Sequence, residues 1–76
     1  MKYAINLFWD NEASVWVATS ENIHGLTLEA NSINILIERV KFVVPELLRL
    51  NQGFVQPSIF LRFYFEIEIQ TNKSAH

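Results

Sequence analysis

The side chains able to do chemistry are few and widely spaced. Asp10 is the sole aspartate. With Glu12, Glu66 and Glu68 it makes up the carboxylates a metal-dependent nuclease would draw on, several oxygens converging on divalent ions to stabilise an in-line displacement. The spacing does not favour that chemistry. Glu12 shares the polar turn of Asp10, while Glu66 and Glu68 fall on the outward face of one strand, so all four read as solvated turn and surface charges. His24 has an imidazole suited to proton transfer or metal ligation near neutral pH. It has no cysteine for company, and the second histidine is the terminal His76; beside Gly25 it reads as turn chemistry. The two glycines, Gly25 and Gly53, stand too far apart to cradle a phosphate. No catalytic residue, cofactor or metal site is expected, and the chain is read as a non-enzyme.

What the chain does hold in quantity is aromatic surface, 13% of its residues. The stretch "FWDNEASVWV", residues 8–17, sets Phe8, Trp9 and Trp16 around one polar turn. Aromatic side chains bury about 150–250 Å² each and contribute heavily wherever they are desolvated. With 76 residues the chain is one small domain, residues 1–70 with a disordered tail over 71–76 expected, and a domain of this size buries only about 60% of its unfolded surface. Half of the residues are hydrophobic and none is cysteine, so no disulfide or thiolate zinc site reinforces the fold. Association is the expected source of extra burial.

Charge narrows the partners. The formal charge is −2, and the six basic residues, Lys2, Arg39, Lys41, Arg49, Arg62 and Lys73, are scattered. A phosphate-binding surface concentrates such residues, so direct nucleic-acid binding is disfavoured. The N-terminus "MKYAINLFWD" lacks a secretory h-region, and no apolar run approaches the ~18–20 residues that span a bilayer. The expected location is cytoplasmic, without membrane contact.

The elements that must position the aromatic residues are legible from hydrophobic period. "YAINLFW", residues 3–9, is strand-like, with Tyr3, Ile5, Leu7 and Trp9 on one face and Ala4, Asn6 and Phe8 on the other. "VWVATS" pairs with it as an antiparallel hairpin. With Trp9 opposite Val15, Leu7 and Val17 share its face and Trp16 joins Phe8 on the opposite one; a slip of one residue exchanges the second strand's faces. "ENIHG" is a turn and "LTLEA" a third strand. Asn31 is the expected helix N-cap, with Asn34 where a capping box would prefer Glu or Gln.

From Ser32 to Leu50 the period is helical, and Ile33, Leu36, Ile37, Val40, Val44 and Leu47 form the core stripe. Pro45 predicts a kink or a break. "IFLRFYFEIEIQ" then alternates strictly. Ile59, Leu61, Phe63, Phe65, Ile67 and Ile69 form an apolar face, with Phe60, Arg62, Tyr64, Glu66, Glu68 and Gln70 on the other. The predicted fold is α+β, a two-layer β-β-β-α-β arrangement with a four-stranded sheet and one helix on one face, the last strand beside the first.

One helix covers one face, so Trp9 is expected beneath it, while Phe8, Trp16, Phe60, Arg62 and Tyr64 project from the bare face as a candidate protein interface. Ile35 and Phe42 stand on the helix flank away from the core, among Glu38, Arg39, Glu46 and Arg49, as a second candidate.

The pieces "WDNEASVWVATS", "ENIHGL", "EANSINILIERV" and "VPELLRLN", spanning Lys2 to Asn51, resemble the HicB-like antitoxin family, particularly its small standalone relatives. The resemblance implies a reduced RNase H-like fold lacking that fold's catalytic carboxylates. It also implies a partner: in toxin–antitoxin pairs this domain blocks a small mRNA-cleaving toxin, HicA. The family's DNA-binding segment has no counterpart before the chain stops, so direct DNA binding is not expected. His24 stands where the family's turn has proline, Ser14 where glycine is common, and Asn31 where aspartate is frequent. The expected function is therefore a non-catalytic protein-binding module that homo-oligomerises and neutralises a HicA-like toxin. The alternatives are a small RNA-binding or RNA-processing domain, with aromatic residues stacking unpaired bases, and a solitary domain without a toxin partner.

Overall fold

The computed structural model describes residues 1–72; the expected tail therefore falls mostly outside the described residues, which stop before Lys73. Alternating side chains make β1 (Lys2–Asp10) a strand in which Tyr3, Ile5 and Leu7 are buried. β2 (Val15–Thr19) returns antiparallel to it, and β3 (Thr27–Ala30) pairs antiparallel with β2. After the helix α1 (Ile33–Gln52), β4 (Phe60–Glu66) enters beside β1 and parallel to it. The sheet order is β3-β2-β1-β4, a mixed four-stranded sheet with one helix, the α+β arrangement that the hydrophobic pattern predicts. Among the described residues no helix is long and apolar enough to cross a membrane.

The helix forms where its apolar stripe meets the sheet. Leu36, Val40, Val44 and Leu48 are buried against Tyr3, Ile5, Leu7, Ala18 and Ala30, with Ile33, Ile37 and Leu47 partly buried at the margins. The N-cap is Ser32 rather than Asn31. Ser32 has extended backbone (φ −124, ψ 139) and its Oγ accepts from the Ile35 N–H at 3.4 Å. Both neighbours carry a competent side-chain acceptor, and the extended geometry falls on the second. At the far end Gly53 takes φ +84 and its N–H donates to the Arg49 carbonyl at 2.8 Å, which closes the last turn. Pro45 does not break the helix; its missing N–H deprives only the Lys41 carbonyl, at an exposed residue where water can serve.

The hairpin corrects one expectation. Asp10 stays in the strand opposite Val15, so Trp9 faces Trp16, Phe8 faces Val17 and Leu7 faces Ala18. The reason lies in the turn. Asp10 Oδ1 accepts from the Glu12 and Ala13 N–H groups at 3.0 and 3.2 Å, an Asx turn that begins within the last paired residue. Ser14 then closes the loop at φ +56. Trp16 therefore joins Trp9, Leu7 and Ala18 on the helix side. A non-glycine residue in the left-handed region is disfavoured by about 1–2 kcal/mol. Ser14→Gly is therefore expected to stabilise the fold by about 0.5–1 kcal/mol after the entropy glycine adds to the unfolded chain, read as a higher urea midpoint with unchanged slope.

Between β2 and β3 the chain clamps β1. Ser20 Oγ donates to the Ala4 carbonyl at 2.7 Å and accepts from the Asn22 and Ile23 N–H groups, while Asn22 Oδ1 accepts from the Ala4 N–H at 3.0 Å. Two side chains thus continue the ladder beyond Thr19, where β2 ends, and Ile23 is driven into the core at 1% exposure. The turn that follows puts Gly25 at φ +88, and Leu26 N–H donates to the Ile23 carbonyl at 3.3 Å. His24 thus occupies the second turn position, where proline is favoured when the third has positive φ.

Candidate protein-interaction surface

A helix is about 10–12 Å across, and four strands spaced about 4.8 Å apart make a wider layer of roughly 19 Å. One helix cannot roof such a sheet. In this chain α1 lies closest to β3 and β2, so the uncovered apolar surface collects at β4 on both faces.

On the helix-free face, Phe60, Arg62, Tyr64 and Glu66 stand opposite Lys2, Ala4, Asn6 and Phe8. Phe8, Phe60, Arg62 and Tyr64 therefore do share one face, with Phe60 62% and Tyr64 46% exposed. Trp16 does not belong to this group. It is partly buried against the core on the other side, its ring edge-on to Trp9 at 5.6 Å and 66°. Trp9 is not fully sheltered by the helix either, since it lies towards the end of β1 and stays 43% exposed. Ile35 and Phe42 sit on the outer side of α1, bordering a shallow apolar groove of about 450 Å³ with Asn34, Glu38, Arg39 and Val43. The seven candidate residues thus divide between separate surfaces. The ion pairs on that helix, Lys41–Glu38 at 3.1 Å and Arg49–Glu46 at 2.9 Å, are solvent-exposed and contribute little to stability.

The sequence reading missed the helix-side surface of β4. Phe65 is half exposed, and beyond the strand Ile67 and Ile69 are more so. Residues 66–70 border an open cleft of about 1200 Å³ whose opposite wall is Phe8, Trp9, Asn11 and Trp16. The signal was present in the unbroken apolar face from Ile59 to Ile69, which is longer than the strand it belongs to. How much of that face stays open depends on the width of one helix against the width of four strands.

Asp10 and His24 take part in local structure, Asp10 through its carboxylate and His24 through its backbone. Asp10 accepts from its own turn, and the His24 carbonyl accepts from Asn51 Nδ2 at 2.9 Å, which fastens the end of α1 to the turn. No charged side chain among the described residues is buried, and no group of three His, Asp or Glu among them could hold a metal ion.

A family model described as a domain of unknown function, DUF1902, matches residues 2–74. The chain belongs to the DUF1902 family. No curated protein matches it. Among solved structures, this DUF1902 chain is similar to a hypothetical protein, TTHA1013, from the extremely thermophilic bacterium Thermus thermophilus. The two are 31% identical with a TM-score of 0.80, over 93% of this chain and all of the other. The family match, residues 2–74, extends through β4, where the uncovered apolar surface lies.

Proposed function

We propose that this DUF1902 chain is a non-catalytic protein-binding module that self-associates. In this reading it works as the HicB-like toxin-binding domain does, masking a small HicA-like mRNA-cleaving toxin. The observation that carries the reading is the apolar surface at β4 and just beyond it, where Phe60, Phe65, Ile67 and Ile69 are each more than half exposed in a chain with little core to spare. Clustered apolar surface such as Phe65 with Ile67 and Ile69 marks interaction sites on small soluble proteins, and Phe60 adds to it on the opposite face of β4. At about 25 cal/mol per Å², covering it would add stabilisation that the single-helix core cannot supply.

The aromatic pair Phe60 and Tyr64 also has the form that stacks unpaired bases. Arg62 lies between them on β4 and Lys2 stands beside Phe60, but Glu66 follows on the same face, so a phosphate backbone finds only two separated cations there. Sedimentation velocity at micromolar concentration tests the main reading, with a mass above one protomer expected. A protein that sediments as a monomer throughout, yet shifts in a salt-sensitive way on titration with single-stranded RNA, would replace it with the RNA-binding one.

A further inference from the structure

We propose that β4 pairs edge to edge with β4 of a second copy, antiparallel about a two-fold axis through Tyr64. The two four-stranded sheets become one; this rests on the protein-binding reading above and names its first partner. β4 is an outer strand of seven residues with nothing among the described residues paired along its far side. Such an edge is a template for another strand unless it is shortened, charged or covered.

Backbone direction fixes which registers are allowed. The Phe60 N–H donates to the Met1 carbonyl at 2.9 Å, so Phe60, Arg62, Tyr64 and Glu66 turn their amide groups towards β1. Leu61, Phe63 and Phe65 turn theirs outward. An antiparallel neighbour must match outward groups with outward groups, so the two-fold axis passes through a residue and not between two.

Side-chain chemistry then selects the residue. With the axis at Tyr64, Arg62 lies directly opposite Glu66 of the second copy, and Glu66 opposite its Arg62, so one register makes two ion pairs. Phe63 and Phe65 of the two copies exchange both backbone hydrogen bonds and set their rings side by side on the helix face, an aromatic cross-strand pair. An axis at Phe63 would put Glu66 against Phe60. An axis at Phe65 would leave only Tyr64, Phe65 and Glu66 within the ladder. Within one copy Arg62 and Glu66 are about 13 Å apart along the strand, and neither forms an ion pair among the described residues. Their charges are complementary only across the axis.

Because the chain has no cysteine, single introduced thiols report the register. Directly opposite residues outside the hydrogen-bonded pairs have Cα atoms about 4.5 Å apart, within the disulfide range. Tyr64→Cys is expected to form a covalent dimer on mild oxidation. Arg62→Cys should not, being about four residues out of register with its own copy, whereas Arg62→Cys combined with Glu66→Cys should. Independently of Tyr64, Arg62→Glu should weaken the dimer about tenfold or more by facing like charges, and adding Glu66→Arg should restore it. If the wild type sediments as a dimer but Tyr64→Cys does not cross-link and the charge exchange does not rescue, this edge and register are wrong while self-association stands. A wild type that remains monomeric at micromolar concentration overturns the pairing and the self-association together.

Discussion

Leu36→Ala is expected to lower the unfolding free energy by about 3–4 kcal/mol. Leu36 is fully buried in the first turn of α1, where the buried stripe of the helix begins. Removing a leucine side chain there loses its transfer free energy and leaves a cavity that the neighbours fill only in part. A chain of this length has a total stability of only about 4–11 kcal/mol, so the loss removes roughly a third or more of it. Urea melts check the prediction through a large drop in midpoint at constant slope. Phe42→Ala, on the outer side of the same helix and 78% exposed, serves as the control and should stay within about 0.5 kcal/mol. Equal losses at the two positions would mean that the helix is docked by the wrong face.

Ser20→Ala is expected to be the next most damaging change, at about 2–3 kcal/mol. The hydroxyl donates to the Ala4 carbonyl and accepts from two loop N–H groups, so its removal strands the Ala4 carbonyl and the Ile23 N–H in a partly buried place, while the exposed Asn22 N–H turns to water. The loss spreads because Ile23, whose N–H is one of those donors, fills the core directly behind the loop. Ser20→Thr keeps the hydroxyl and should lose much less. Amide exchange resolves the cause, with faster exchange expected at Ala4, Asn22 and Ile23 in the alanine variant and near-native rates in Leu7. Uniform acceleration across the sheet would assign the effect to global destabilisation instead.

The fold was legible because each element carries its own period. The helical stripe through Leu36, Val40 and Val44 and the alternation of Tyr3, Ile5 and Leu7 each admit one reading, and both elements lie where the pattern places them. The register of the hairpin was less determined. Alternation in β2 fits either face, since Val15, Trp16, Val17 and Ala18 are all apolar, and the choice rests on whether Asp10 belongs to the strand or to the turn. Its carboxylate bonds to the turn while its backbone stays paired, a dual role that spacing does not reveal. That single residue decides on which side of the sheet Trp16 lies. The helix cap slipped for a similar reason, because Asn31 and Ser32 are both good caps and differ only in backbone angle.

The candidate surface was half legible. Phe60, Arg62 and Tyr64 occupy the face their alternation assigns. The exposure of Phe65 and Ile67 depends on the lateral position of α1 over the sheet, which long-range packing sets and no local period encodes.

One contact at the opposite border of the molecule bears on how far assembly can run. The Arg39 guanidinium donates to the Glu29 carbonyl at 2.6 Å, capping the short outer strand β3 with a cation. A polypeptide seeking to extend the layer on that side would first have to displace the cap, and it would find a strand of only four residues. With β4 paired to a second copy as proposed above, growth would thereby be confined to one border. An array with a single growing border terminates once two units have met, whereas one open on both borders polymerises into fibres. Replacing Arg39 thus bears less on the stability of the protomer than on whether the protein stays a finite particle.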